Sequence, residues 1–404
     1  MLLAKGACLR ARSLLSITTV AKAEQLTELP FSRAVLAPAG HIEMPPCRVL
    51  NPPNVIHDFP GGWGYPKDPF LKWHEATGSI FPSRIVYPDL WVARLDDAYY
   101  LPYAAPFFPH TNLLINDFLV PWSPDVVAWF RYEAHDVYSL STDVTEAYAV
   151  DTAFYLGHPI SGHFGHFIGD CLSRMHAWRI CQELFGEVKL ILDHTAYDTA
   201  FREKLLVAAG IRDEDIIFAQ GGIHCRRLLL ANPALGVSKY ASPTSATLWN
   251  EIRDGFGNHQ VGHRDRIYMS RSRQPARKLT NETEIEDLFR SFGFSILYPE
   301  TLSIEEQVAS VSMAELIAGP SGSAMFNLAF HKRLKSVFMI VPETFIQISE
   351  WLFLAGTSCP MYYHVGSLST AVDGISARRD SWEVNVQRLA SDVAMWLSQI
   401  GTTQ

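Results

Sequence analysis

Apolar and polar positions change rhythm twice along these 404 residues. Up to about residue 30 no amphipathic period is sustained, which predicts a mobile lead-in. From about 31 to 145, alternating stretches such as RIVYPDLWVARL stand between the turn signals PPN, PGG and YPKDP, and they predict an irregular β-rich region. From about 150 compact apolar runs alternate with helical periods. DTAFYLG reads as a strand, 164–184 as a helix, VKLILD as a strand, 197–209 as a helix, and DIIFA and HCRRLLLA as strands. The polar stretch 238–264 reads as a link. RIYMSR then opens a second series: helix 281–292, strand FSILYP, helix 303–313, strand AELIAG, helix 321–331 and strand KSVFMIV.

Such alternation predicts an α/β fold with parallel sheets and crossover helices. The predicted division is a lead-in over 1–30, an N-terminal domain over 31–255 and a C-terminal domain over 256–404. The first of these two domains is β-rich to about 145 and α/β from about 150. Ligands of open α/β sheets sit at the carboxyl ends of the strands, so the loops after the strands are the ones to search. Two helix starts are marked by a cap and an acid three residues on, Asn281 with Glu284 and Ser303 with Glu306. Behind the first, Ile285, Leu288, Phe289 and Phe292 fall on one face.

Composition narrows the class. With 48% hydrophobic and 12% aromatic residues the chain is globular rather than disordered, and its length suits two domains, since single cores stop growing at roughly 250–300 residues. A net charge of −8 argues against a protein that coats nucleic acid. No window approaches the roughly 20 apolar residues of a membrane span. Lys5, Arg10 and Arg12 precede LLSITTV in a faint secretory pattern, but Ser16, Thr18 and Thr19 interrupt the apolar part and the segment is read as retained. Cys8, Cys47, Cys171, Cys181, Cys225 and Cys359 form no C-x-x-C pair, so all six are expected as reduced thiols in a cytoplasmic protein, with peripheral membrane contact left open.

Three segments carry candidate chemistry. In HPISGHFGHFIGDCLSRMHAW, Phe164, Ile168, Cys171, Met175 and Trp178 form an apolar stripe. His166, Asp170 and Arg174 recur every four residues on the opposite flank, with His163 nearby. A carboxylate beside an imidazole is a workable general base. The same spacing also suits a polar outer face, or a metal held by His163, His166 and Asp170. The second segment, RIYMSRSRQPARKL, sets Arg271, Arg273, Arg277 and Lys278 after a strand. A guanidinium fork there could bridge two diphosphate oxygens, or the loop could be merely solvated. In the third, a buried strand runs into Gly319-Pro320-Ser321-Gly322-Ser323 and a helix, whose first N–H groups favour an anion; a tight turn alone would read the same way. Asp213-Glu214-Asp215 contains a D-x-D and is read as a solvated turn.

Taken in order, these segments resemble glycosyltransferase family 61. The resemblance runs from about 150 to 342 and rests on Ser270-Arg271, Arg277, Asn281-Glu282, Gln307 and Gly319-Pro320-Ser321-Gly322, with His166 and Asp170 upstream. Ser321 stands where the family has histidine, and Met339 where it often has an acid. The resemblance implies two facing Rossmann-like domains (the GT-B arrangement) and an inverting, metal-independent transferase without a cofactor. Its substrates would be a nucleotide sugar and a glycan or other hydroxyl acceptor. Arg271, Arg277, Asn281, Ser321, Gly322 and Ser323 would hold the donor, and His163, Arg174, Gln307 and Asn327 would support the site from behind. Asp170 would take the acceptor's proton, with His166 orienting it. The alternatives are a non-catalytic binder of sugar nucleotides or glycans and a metal-dependent hydrolase. Sequence leaves the sugar, base, acceptor and oligomeric state open.

Overall fold

The computed structural model describes residues 34–50, 81–102, 148–158, 161–194, 200–368 and 381–401, apart from 258, 260, 263, 275, 276, 344, 345 and 347. It also describes the backbone of strands at 16–17, 19–21, 31–33, 107–108, 113–115, 130–134 and 137–140. The turns PPN, PGG and YPKDP, Cys8 and most of the expected lead-in fall outside these residues. Two pieces of that lead-in are strands rather than loose chain: Ser16–Ile17 pairs with Val137–Leu140, and Thr19–Ala21 with Leu113–Ile115.

In chain order the strands are β1 (Phe31–Ala37), β2 (Gly40–Glu43), β3 (Cys47–Val49), β4 (Arg84–Tyr87) and β5 (Leu90–Tyr100). The first α/β series has β6 (Tyr148–Tyr155), β7 (Lys189–Asp193), β8 (Ile216–Ala219) and β9 (Ile223–Ala231), with helices α1 (Trp178–Phe185) and α2 (Ala200–Ala208). After α3 (Pro243–Gly255) come β10 (Arg266–Met269), α4 (Glu282–Ser291), β11 (Ser295–Leu297), α5 (Ile304–Met313), β12 (Leu316–Pro320) and β13 (Ser336–Pro342). The chain closes with α6 (Ser349–Leu352), β14 (Met361–Leu368), β15 (Trp382–Glu383) and α7 (Val386–Gly401).

The chain folds as two compact units, and both are discontinuous. One unit takes residues 1–39 and 88–234, the other 40–87 and 235–404. The expected boundary near 255 therefore moves to 234, and residues 40–87 join the C-terminal part. In the first unit the strands run β8–β7–β6–β9–β5, the first four parallel and β5 antiparallel to β9, with β1 antiparallel on β5. In the second the order is β11–β10–β12–β13–β14, all parallel. Counted along this series that order is 2-1-3-4-5, a doubly wound topology. The far edge of β14 takes β3 in parallel and β15 antiparallel.

Strands β12 and β13 are buried at every position. That is the mark of a parallel sheet covered on both faces, and it explains their unbroken apolar text. Helix α7 presses Trp396 onto Phe338 with ring centres 5.1 Å apart, and the indole Nε1 donates to Ser336 Oγ at 2.8 Å. Helix α3 corrects the reading of 238–264 as a link. Ser245, Leu248, Trp249 and Ile252 fall at i, i+3, i+4 and i+7 and are buried, with Pro243 opening the first turn. The Ser303–Glu306 capping box is present, each side chain bonded to the other's backbone N–H. Asn281 stands at its helix start but caps nothing, because its amide reaches Val384 instead. The stretch expected as helix 321–331 is a 3-10 turn, Ser323–Phe330. Among the described residues no helix is long and apolar enough to cross a membrane.

Candidate functional site

The loop after β6 carries the first cluster. Its anchor is Asp193, buried at the end of β7. This carboxylate accepts Tyr100 Oη–H at 2.7 Å, the His158 backbone N–H at 2.9 Å and Ser161 Oγ–H at 3.3 Å. Buried Arg202 donates to the Asp193 carbonyl at 2.7 Å and to Ser161 Oγ at 3.3 Å. Gly157 is required here because a Cβ would lie 2.7 Å from Tyr100 Oη. These bonds fix where His158 leaves the sheet, at the carboxyl end where ligands collect.

The segment that follows is not one regular helix. One α-turn (Phe164–His166) leads into a π turn (Phe167–Cys171), then a 3-10 turn (Leu172–Ala177), and only then α1. Across the junction of the α and π turns His166 keeps its partner: Nδ1 lies 2.7 Å from Asp170 Oδ2. The changes of winding carry Arg174 away from that flank. It is buried at 4% exposure, donates Nη1 to the Gly157 carbonyl at 3.0 Å and lies over the Tyr155 ring. The expected polar flank His166–Asp170–Arg174 is thus corrected: two members meet, and the third supports the loop from inside. Nearly the whole segment is buried, so no outer polar face exists for it to decorate.

His158, which the spacing argument passed over, completes the cluster. Its ring stacks on His166 at 5.5 Å between centres, and its Nε2 lies 3.9 Å from Asp170 Oδ2. His163 packs against His166 at 5.3 Å with a tilted ring. Burial pushes the His158 imidazole down to about 3, so it stays neutral. Burial alone would raise Asp170, but the His166 hydrogen bond and the nearby His158 and Arg174 bring its carboxyl below the ordinary value. Ligand atoms of His158, His166 and Asp170 lie within 4.8 Å of one another, close enough to hold a metal ion. The triad expected for a metal, with His163, is replaced by one with His158.

The second cluster lies after β10. Two carboxylates of α4 fasten this loop. Glu282 Oε1 accepts the Arg271 backbone N–H at 2.6 Å and Ser270 Oγ–H at 3.2 Å. Glu286 accepts Ser270 and Ser272 hydroxyls at 2.7 and 2.9 Å and Tyr298 Oη–H at 2.8 Å. Burial raises Glu282 to about 7. Burial also pulls Arg271 down, and it lowers Arg277 to about 10 with help from Arg271's charge. The Arg271 guanidinium lies against Gly322, where any Cβ would collide with it. Gly322 has φ +150°, which only glycine adopts without strain. Its N–H donates to Glu350 Oε1 at 3.1 Å.

The other residues that sequence pointed to have structural work. Asn281 Nδ2 donates to the Val384 carbonyl at 2.8 Å and Oδ1 accepts the Val384 N–H at 3.3 Å, so the amide that was expected on the donor ties α4 to the segment after β15. Arg277, at φ +52°, offers its carbonyl to Trp382 Nε1 at 3.0 Å in the same seam. Gln307 holds Asn327 Nδ2 at 3.0 Å and donates to the Pro299 carbonyl at 2.9 Å, which bolts α5 to the 323–330 turn. Ser321 is buried and its N–H joins β13 through the Ile340 carbonyl at 2.8 Å, while Ser323 is partly exposed at the head of the turn. Asp215 of the D-x-D corrects the reading as a solvated turn: it is 1% exposed and accepts Lys189 Nζ at 2.8 Å and Arg212 Nε at 2.7 Å.

Against known proteins, the Glycosyltransferase 61 family model matches residues 164–338, a span that takes in His166, Asp170, Arg271, Arg277 and the 321–323 turn but neither His158 nor Glu350. No curated protein matches the chain. Residues 164–338 belong to glycosyltransferase family 61.

Proposed function

We propose that the protein moves a sugar from a nucleotide-sugar donor to a hydroxyl of a glycan acceptor, with inversion and without a metal or cofactor. The observation that carries this reading is the Arg271 guanidinium laid against Gly322, with Arg277 close enough to depress its own pKa through Arg271's charge. Two cations beside a glycine turn, at the carboxyl ends of β10 and β12, suit a diphosphate that gains charge as the sugar departs. Inversion needs a base that takes the acceptor's proton as the hydroxyl attacks. The His166–Asp170 pair suits that step. A carboxyl held below its ordinary value is a weak proton acceptor near neutrality, so His166 takes the proton and Asp170 orients the ring through Nδ1, reversing the roles that sequence favoured. Neutral His158, stacked on His166, keeps the imidazole from turning.

Arg271→Ala and Arg277→Ala test the donor seat. Each is expected to weaken binding of the donor nucleotide, found by screening a panel, by about 1.5–3 kcal/mol, the range for hydrogen bonds to charged groups. Titration calorimetry beside a melting curve reads this out. Parental affinity in both variants would reduce the cluster to a solvated loop.

A second reading, a metal-dependent hydrolase, has one observation in its favour: the convergence of His158, His166 and Asp170. Three protein ligands with an open position are the pattern of a catalytic zinc. On the proposed function, sugar transfer survives EDTA and elemental analysis finds no stoichiometric metal. One metal per chain, lost in His158→Ala together with activity, establishes the hydrolase instead.

A further inference from the structure

Glu350 lies beyond the family match, on the four-residue helix α6, and sequence gave no reason to single it out. It is 3% exposed. Oε1 accepts the Gly322 N–H at 3.1 Å, the carboxylate also takes its own backbone N–H, and Oε2 is buried with no hydrogen-bond partner among the described residues. The backbone N–H that an incoming phosphate would seek at this turn is therefore already bonded to an anion. The helix that carries the carboxylate cannot easily swing aside. Ser349 Oγ is bonded to Ser238 Oγ at 2.6 Å, and Trp351 Nε1 donates to the Pro45 carbonyl at 3.2 Å while its ring packs edge-on against Phe81.

We propose that Glu350 is a resident anion in the diphosphate seat, which holds Arg271, Arg277 and the Gly322 turn in place while the seat is empty and opposes the donor's charge when it arrives. The proposal rests on the donor seat argued above. Without ligand, a carboxylate bonded to the turn and near enough to act on both guanidinium groups offsets their mutual repulsion. With ligand, the same carboxylate must surrender the Gly322 N–H and either face a phosphate or take up a proton. Burial already pushes its carboxyl upward, against the pull of Arg277 and Arg271, so the protonated form is within reach. Arg277 and Arg271 from the loop after β10 act on it directly, Glu282 from α4 and Glu300 from the turn before α5 act on Arg271, and Tyr363 from β14 feels both Glu350 and Cys47 of β3. Tyr363 and Cys47 are neutral, both raised by burial.

The test titrates inorganic pyrophosphate, and then UDP, GDP and ADP, into the parent, Glu350→Gln and Arg271→Ala at pH 6 and pH 8, with a melting curve for each. Gln keeps the acceptor for the Gly322 N–H and removes the charge; Glu350→Ala, which empties the seat, stands in should the Gln variant not fold. Removing a like charge beside a phosphate is expected to tighten binding at pH 8 by about tenfold or more. The gap between parent and variant should narrow as pH falls from 8 to 6, because a carboxyl raised by burial takes up its proton earlier than an ordinary one. Equal or weaker binding by Glu350→Gln, with Arg271→Ala still impaired, overturns the resident anion and leaves the donor seat standing. Binding by Arg271→Ala at the parental level overturns both.

Discussion

In His166→Ala, sugar transfer falls by about 10²–10⁴, the span that general-base catalysis supplies, while donor affinity and melting temperature stay near the parent's. The expectation follows from geometry: Nδ1 is bonded to Asp170, which leaves the opposite ring nitrogen for a substrate proton. Asp170→Asn removes the negative charge that favours the protonated ring but retains an oxygen for Nδ1–H, so its loss should be smaller in turnover. The order reverses if Asp170 is itself the base, with Asp170→Asn then the more damaged variant. Near-parental turnover in both would reduce the pair to scaffold, and stopped assays beside melting curves on the same two proteins distinguish the three cases.

Asp193→Ala is expected to cost about 3–5 kcal/mol of stability, the usual loss when one member of a buried charged network is removed. Four groups depend on it: the Tyr100 hydroxyl, the His158 N–H, Ser161 Oγ and, through Ser161 and the shared pocket, the guanidinium of Arg202. Arg202 is 1% exposed, and its charge would be left buried without the carboxylate that shares its surroundings. Asp193→Asn should lose only about 1–3 kcal/mol, since an amide oxygen still accepts one of those donors. Urea denaturation of the two variants reads the difference directly. A loss below 1 kcal/mol in Asp193→Ala would mean that water replaces the network and that the loop carrying His158 is held by packing alone.

The core strands β12 and β13 were legible because parallel sheets covered on both faces demand unbroken apolar runs, and both are written that way. The Ser303 cap was legible because its partners lie within one turn. Asn281 has the same local text but bonds Val384, 103 residues away, a choice that no window of sequence contains. Arg174 followed helical spacing until the π and 3-10 turns changed the phase beneath it. Helix α3 was hidden by a stripe that uses serine as one of its four inward positions. At the site, His166 with Asp170 and Arg271 with the glycine turn could be found because each lies in a short, chemically dense segment. His158 and Glu350 could not, since what gives them meaning is a loop path held by Asp193 and a glycine turn 28 residues upstream.

The pairing of β3 with β14 sets a schedule for synthesis. Cys47 pairs with Met361, so 361 − 47 = 314 residues separate partners that lie side by side in the finished sheet. A ribosome adding about 5–20 residues per second takes roughly 15–60 s to deliver the second after the first. Through that interval residues 47–49 lack the strand they belong to, and before it ends the unit they interrupt, 1–39 with 88–234, is complete in sequence. The first unit can therefore fold before the second is complete, and the second cannot complete its sheet until β14 has been made. A nascent chain stalled before residue 361 would carry β3 as an unpaired edge, a site for a chaperone or for another copy in the same condition.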